Sequence, residues 1–322
     1  EKEVNPYNIL AITFTNKAAK EMKERTLKML GKDAYGIQIS TFHSLGLLIL
    51  RENYEKLGYD KNLTILDSDD TLTVIKKILK EKNLDPKAYN PRAIKNKISS
   101  AKNELVTPEE YGVFANSEYE QIITEIYQRY EKKIKTNNSV DFDDLLILPI
   151  KLFKKYPEIL QKYQERFKYL LVDEYQDTNE AQYILIKMLS AKYKNICVVG
   201  DIDQSIYGFR GANYRNILNF EKDYPNANVI LLEENYRSTS NILNVANDII
   251  KNNKKRKEKK LWTKNEEGLK IKYHRSYDEQ DEAHYVMDRI KRLINAGEEK
   301  DGIAVLYRTN AQSRNMEEAL LR

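Results

Sequence analysis

Seven short β-rich apolar runs recur along the chain, separated by stretches of helical periodicity, and no other feature narrows the possible folds as much. The runs are ILAITFT (9–15), IQISTFH (37–43), YLLVDEY (169–175), NICVVGD (195–201), NVILLEE (228–234), LKIKYHR (269–275) and IAVLYRT (303–309). They are apolar throughout rather than alternating, which predicts strands covered on both faces. Helical patterns such as NKAAKEMKERTLKML (16–30) and NEAQYILIKMLS (179–190) lie between them. Strand, helix, strand in repetition predicts an α/β fold of doubly wound parallel sheets.

Residues 68–139 break the alternation: they are lysine-rich, helical in period and free of convincing strands. They read as an α-helical insertion into a first sheet domain made of 1–67 and 140–227. A second α/β domain is expected over 228–322, after the turn-like DYPNAN (223–228). No apolar stretch approaches the ~20 residues of a membrane span, so no membrane partner is expected. Cys197 is the only cysteine. An internal disulfide is impossible, a reducing, cytoplasmic setting is expected, and the apolar surroundings of Cys197 predict a buried packing thiol. Lys+Arg exceed Asp+Glu by 54 to 49, which permits a polyanionic partner without demanding one. The basic run NNKKRKEKK (252–260) reads as a solvated connecting loop. None of the three histidines belongs to a cluster with metal-ligand spacing.

Several runs end in polar residues where a parallel sheet binds its ligands, beyond the carboxyl ends of the strands. Asp173 and Glu174 end the third run. A carboxylate there can hold a hard cation such as Mg²⁺, and its neighbour can orient or deprotonate water. An acidic helix N-terminus accounts for the same two residues, and taken alone they leave both readings open. For Asp177, capping the next helix is at least as good a reading as catalysis.

The other run ends carry further motifs: VVGDIDQSIYGFRGA (198–212), LEENYRST (232–239), ITFTNKAAKEM (12–22) and ISTFHSLG (39–46). With SSAKNELVTPEEY (99–111) and LYRTNAQSR (306–314), these stretches resemble, in order and spacing, the UvrD/PcrA/Rep group of superfamily-one DNA helicases. The resemblance implies RecA-like motor domains and ATP-driven movement on single-stranded DNA, of 3′-to-5′ polarity, in repair or replication. ATP and Mg²⁺ would be the cofactors. Single-strand/duplex junctions and repair or replication loading proteins would be the partners. Position by position, it implies that Asp173 holds Mg²⁺, Glu174 activates water and Gln204 senses the γ-phosphate. Arg237 would reach the γ-phosphate from the second domain, with Tyr236 stacked on the adenine. Phe14, Tyr207 and Phe209 match base-stacking positions, and Thr41, His43, Arg308 and Asn310 are further DNA-contact candidates. Phe209 stands where many relatives carry tryptophan, and Gly208 where a basic residue is common.

The family's phosphate loop, G-x-x-x-x-G-K-[ST], is absent, since no GK[ST] occurs in the chain. Its backbone N–H cradle and lysine would lie before ILAITFT. The chain is therefore expected to be a fragment holding one truncated motor domain, its insertion and the start of a second, without ATPase activity of its own. Two alternatives remain at this level: the helicase part of a RecB/AddA-type nuclease–helicase, and a non-catalytic scaffold built on a motor domain.

Overall fold

A computed structural model describes residues 4–254, 256 and 258–321, with the side chain of Arg210 outside the description. The basic run 252–260 is thus only partly described, residues 255 and 257 lying outside. The described chain divides into two units, the first ending at Ile230 and also taking in the stretch around Arg256.

The first unit is organised by a four-stranded parallel sheet. Its strands are β1 (Ile9–Thr13), β2 (Gln38–Thr41), β5 (Tyr169–Val172) and β6 (Ile196–Val198), in the order β2-β1-β5-β6. Register pairs Ala11 with Ile39 and Leu171, and Leu171 with Cys197. Helices α1 (Asn16–Leu30) and α2 (Phe42–Asn53) follow the first two strands, each capped by a threonine, Thr15 and Thr41. The hydroxyls of both accept a backbone N–H of the first helical turn, satisfying a donor the helix cannot. Later come α7 (Asp144–Lys155), α8 (Pro157–Arg166), α9 (Glu180–Ser190) and α10 (Arg215–Asp223). Leu10, Ile12, Leu170 and Val172 meet Phe42, Leu45, Phe153 and Leu185 in one core. Gly46 lets α2 lie directly on α7: a Cβ there would stand 1.8 Å from the Leu145 carbonyl oxygen.

Strands β1 and β2 are buried on both faces, as the unbroken apolar runs predict, but β5 and β6 are not. Burial alternates along β5, and Leu171 is 42% exposed. Cys197, its register partner, is exposed as well, so the buried-thiol expectation is corrected. The core packs against one face of β5 and β6 only, and both residues point to the other.

Residues 68–136 form four helices: α3 (Ser68–Glu81), α4 (Pro91–Asn103), α5 (Pro108–Val113) and α6 (Glu118–Thr136). In α6, Ile123, Ile126, Tyr127, Tyr130 and Ile134 recur on one stripe and close a separate core with Ile75, Ile78, Leu79, Ile94 and Ile98. The chain enters and leaves this helical body side by side, because β3 (Thr64–Ile65) pairs in parallel with β4 (Ser139–Val140).

A buried charge cluster stands at that neck. Lys102 Nζ of α4 lies 2.6 Å from Glu131, 2.7 Å from Asp141 and 2.9 Å from Asp144. Tyr130 donates to Asp141 at 2.8 Å. Burial opposes the Lys102 charge, but the three carboxylates outweigh it and hold the ammonium well above the usual lysine range. Burial, reinforced by Asp141, pushes Asp144 up to about 7 against the pull of Lys102. Lys102→Met leaves these acids buried without a counter-charge, a loss of about 3–5 kcal/mol. Urea unfolding monitored by far-ultraviolet circular dichroism checks this, and a loss of unfolding free energy below a tenth of that size would contradict it.

The second unit contains α11 (Ser240–Ile250), α12 (Glu279–Asn295) and α13 (Ser313–Leu320). The three runs expected as strands here, 228–234, 269–275 and 303–309, form no ladder among the described residues. Among the described residues one isolated bridge forms, Glu234 with Trp262. A strand needs a row of hydrogen-bonding neighbours; among the described residues the run 228–234 has only the Trp262 bridge and the other two have none, and Ile230, Leu269 and Leu306 are exposed.

Candidate functional site

The carboxyl edge of the sheet gathers the polar residues of the first unit. β5 ends at Val172, and Asp173 and Glu174 follow at once. The Asp173 N–H donates to Ile12 O at 2.9 Å, so the first acid is tied to the neighbouring strand β1. Glu174 then adopts a left-handed backbone, φ 52° and ψ 39°. For a residue with a Cβ this costs of order 1–3 kcal/mol, a strain that clusters at functional sites. The turn aims Glu174 out of the sheet, exposed. Its N–H donates to Asp173 Oδ1 at 3.0 Å.

Burial, together with the Glu174 charge, raises Asp173 above the ordinary carboxylate range, although the Glu174 N–H pulls it down. Burial and Glu174 also raise Asp177. Asp177 does not cap the next helix: Asn179 caps α9, accepting the Gln182 N–H at 2.9 Å. Asp177 Oδ1 is instead buried with no hydrogen-bond partner. Carboxylate oxygens such as those of Asp173, and the orphaned oxygen of Asp177, are hard donors of the type that holds Mg²⁺.

Gln176, a residue that sequence reasoning passed over, joins this edge to the next loop. It is fully buried. Its Nε2 donates to Glu174 Oε2 at 2.8 Å, and its Oε1 accepts the Asp201 N–H at 3.0 Å. Gln204 Nε2 in turn donates to Asp201 Oδ2 at 2.9 Å. Gly200 makes room, since a Cβ there would lie 2.6 Å from Gln176 Oε1. The far end of the loop is fastened too: Asn213 donates its N–H to Thr178 O at 2.9 Å, and Asn216 Nδ2 donates to the same carbonyl at 3.1 Å. Glu174 and Gln204 therefore belong to one hydrogen-bonded chain. The sequence signal for Gln176 is its place between two acids of a motif, which by itself does not distinguish it from a solvated glutamine.

Tyr207 and Phe209 ride on this loop, their ring centroids 6.1 Å apart, and are 39% and 69% exposed. Phe14 sits differently, half-buried and edge-on to Phe42 at 5.5 Å. The Thr41 hydroxyl is committed within α2, accepting the Ser44 N–H and donating to Ser44 Oγ at 2.9 Å. His43 stacks on Phe142 with centroids 4.1 Å apart. Phe142 is 57% exposed and was not singled out from sequence, since it lies 99 positions from its partner.

Burial lowers His43 to about 4 from its ordinary 6.5. The folded state thus binds fewer protons than the unfolded one between those values. His43 contributes stability that is fully present above pH 6.5 and is lost as the pH falls through 4. NMR titration of the imidazole is expected to show a neutral ring down to about pH 4, and a midpoint near 6.5 would contradict its burial.

In the second unit, Tyr236 is 79% exposed, with its hydroxyl on Glu234 Oε2 at 3.0 Å. The Arg237 and Ser238 N–H groups both donate to Asn235 Oδ1, at 3.0 and 2.8 Å, forming a turn just before α11. Asn265 Nδ2 reaches the Ser238 carbonyl at 3.1 Å and pins it. Arg308 is exposed, and Asn310 opens a short 3₁₀ turn whose cap is Thr309.

Two known domain families match the chain. The UvrD/REP helicase N-terminal domain matches residues 1–225, and the UvrD-like helicase C-terminal domain matches 230–322. Among curated proteins, the ATP-dependent DNA helicase PcrA of Bacillus subtilis (strain 168) is 57% identical over 323 residues, covering all of this chain. The proteins of that name from Staphylococcus aureus (strain Mu50) and Staphylococcus epidermidis (strain RP62A) are each 52% identical over 322 residues. The chain spans 44% of the length of each of these relatives.

Proposed function

The chain belongs to the UvrD/REP helicase family, and from that membership we propose that it supplies the hydrolytic carboxylates and the DNA-tracking face of an ATP-dependent DNA helicase. The substrate is single-stranded DNA and its junctions with duplex, and the direction of travel is 3′-to-5′. Relatives that carry the name ATP-dependent DNA helicase support this reading.

Glu174 is the group that orients and deprotonates the attacking water, held at the sheet edge by its left-handed turn and by Gln176. Asp173, with the orphaned Asp177 oxygen nearby in sequence, would hold Mg²⁺, which when bound neutralises charge on the phosphate oxygens. Gln204 senses the γ-phosphate, Arg237 approaches it from the second unit, and Tyr236 stacks on the adenine. Tyr207 and Phe209 stack on successive bases, joined by Phe14 and by the His43–Phe142 pair. The Thr41 hydroxyl, already used in capping, leaves Thr41 a structural contribution to that face. Arg308 and Asn310 serve the strand from the second unit.

The observation that carries the proposal is the chain Glu174–Gln176–Asp201–Gln204, whose last link lies three residues before the exposed ring of Tyr207. This chain is the route by which a change at the phosphate end would reach the loop that bears the stacking rings. The DNA face is tested in the full-length protein with Tyr207→Ala and Phe209→Ala. Each is expected to weaken single-strand binding by roughly 1–3 kcal/mol with little sequence dependence. Fluorescence titration against homopolymers measures this. Unchanged affinity accompanied by a large fall in melting temperature would make the rings core residues.

A further inference from the structure

The first unit also carries a concentration of positive charge, away from the acids at the carboxyl edge of the sheet. A cleft of ≈ 370 Å³ opens where α6 and α7 end beside the turn that follows α2. Lys56, Lys132, Lys135, Lys151 and Lys155 surround it. Other lysines of this unit are matched with acids, such as Lys133 with Glu81 and Lys187 with Asp223. Among the described residues, no carboxylate stands in ion-pair range of the five. The one acid lining the cleft, Glu131, is turned inward onto Lys102 at 2.6 Å.

Helix ends favour lysine, which accounts for Lys135 and Lys155 in the last turns of α6 and α7. It does not account for Lys151 a turn earlier, nor for five lysines lining one concavity, where Lys135 lies over the Tyr59 ring and Lys56 and Lys155 lie over Tyr156. The floor is apolar, formed by Leu57, Tyr59, Ile134 and Leu148. It removes water from one side and so strengthens both the repulsion among the lysines and the attraction of an anion. Tyr59 is buried with its hydroxyl held in the protonated, donating form, raised by burial and then by nearby acids.

We propose that this cleft binds a compact oligophosphate, a chain of three or more linked phosphates. No arginine lines it. Recognition there rests on ammonium point charges, which bind phosphate oxygens without the fixed two-pronged geometry of a guanidinium. The volume falls in the range of small-ligand pockets. A nucleic-acid backbone would instead call for charge spread along a track. The cleft also does not continue the aromatic face: His43 opens α2 and Lys56 lies beyond its end, about 18 Å away along a twelve-residue helix. The oligophosphate is inorganic or is the polyphosphate arm of a nucleotide, and both present the same chemistry to the lysines.

The test is lysine acylation of the full-length protein read residue by residue by mass spectrometry, with inorganic tripolyphosphate as probe. Acylation of the five lysines is expected to fall roughly tenfold when the probe stands at about ten times its Kd, while Lys17 and Lys23 on α1 stay unchanged. Lys151→Ala with Lys155→Ala is expected to abolish protection at Lys56, Lys132 and Lys135 and to leave DNA-stimulated ATP hydrolysis unaltered. A nucleoside triphosphate protecting at lower concentration than tripolyphosphate identifies the nucleotide as the source, and the reverse order identifies the inorganic chain. Equal protection by sodium chloride at matched ionic strength would reduce the effect to screening and overturn the proposal. Protection by duplex or single-stranded DNA but not by tripolyphosphate would overturn it in favour of a nucleic-acid surface.

Discussion

Arg237→Ala in the full-length protein is expected to lower DNA-stimulated ATP turnover by about 10³–10⁵-fold, the range found for arginines that neutralise charge on a transferring phosphoryl group. The surroundings of Arg237 argue against a structural duty. It is exposed, and no carboxylate among the described residues pairs with its guanidinium. Its backbone is fixed by Asn235, and the helix behind it is entered through Thr239, so the side chain is not needed to hold the turn. Truncation is therefore expected to change stability by no more than about 0.5 kcal/mol. Arg237→Lys should fail to restore turnover, because an ammonium lacks the two-pronged geometry of the guanidinium. A guanidinium delivered from a separate unit also makes ATP favour the state in which it arrives, and hydrolysis removes that preference. Fluorescence transfer between labels on the two units should accordingly lose its ATP response. Normal turnover with a normal response would return Arg237 to a structural role.

Glu174→Gln is expected to lower turnover by about 10²–10⁴-fold, the contribution of a positioned general base, while nucleotide binding remains near normal. The substitution preserves the shape and an acceptor oxygen for Gln176 Nε2, so the chain to Asp201 survives. It also removes one of the two causes that raise Asp173, the other being burial. A loss confined to turnover, with the nucleotide Kd unchanged, separates a base from a binding group. Near-normal turnover in the substituted full-length enzyme would refute the assignment.

Much of the first unit was legible because local rules and tertiary structure agree there. Apolar runs 9–15, 37–43, 169–175 and 195–201 each contain a strand, shortened because Phe42 already begins a helix and Asp173 leaves the sheet. Each such strand has a parallel neighbour to accept its hydrogen bonds. The runs at 228–234, 269–275 and 303–309 carry the same signal without that neighbour, and composition cannot report whether a partner strand lies alongside. Cys197 fails for a related reason, since an apolar run does not reveal which of its two faces a helix will cover.

Sequence alone determined which residue types stand at the strand ends, and in what order: Asp173 and Glu174, then Gln204, the aromatic pair and Arg237. Those are local facts, written in consecutive residues. Tertiary structure decided what could arise only from segments far apart in the chain. It placed Gln176 between Glu174 and Asp201, laid Phe142 on His43 and gave Asp177 an orphaned oxygen in place of a cap. It also closed three acids around Lys102. Hydrogen bonds, ring contacts and buried charges depend on distances of a few ångströms, and across 25 or 99 positions of sequence the fold alone sets such distances.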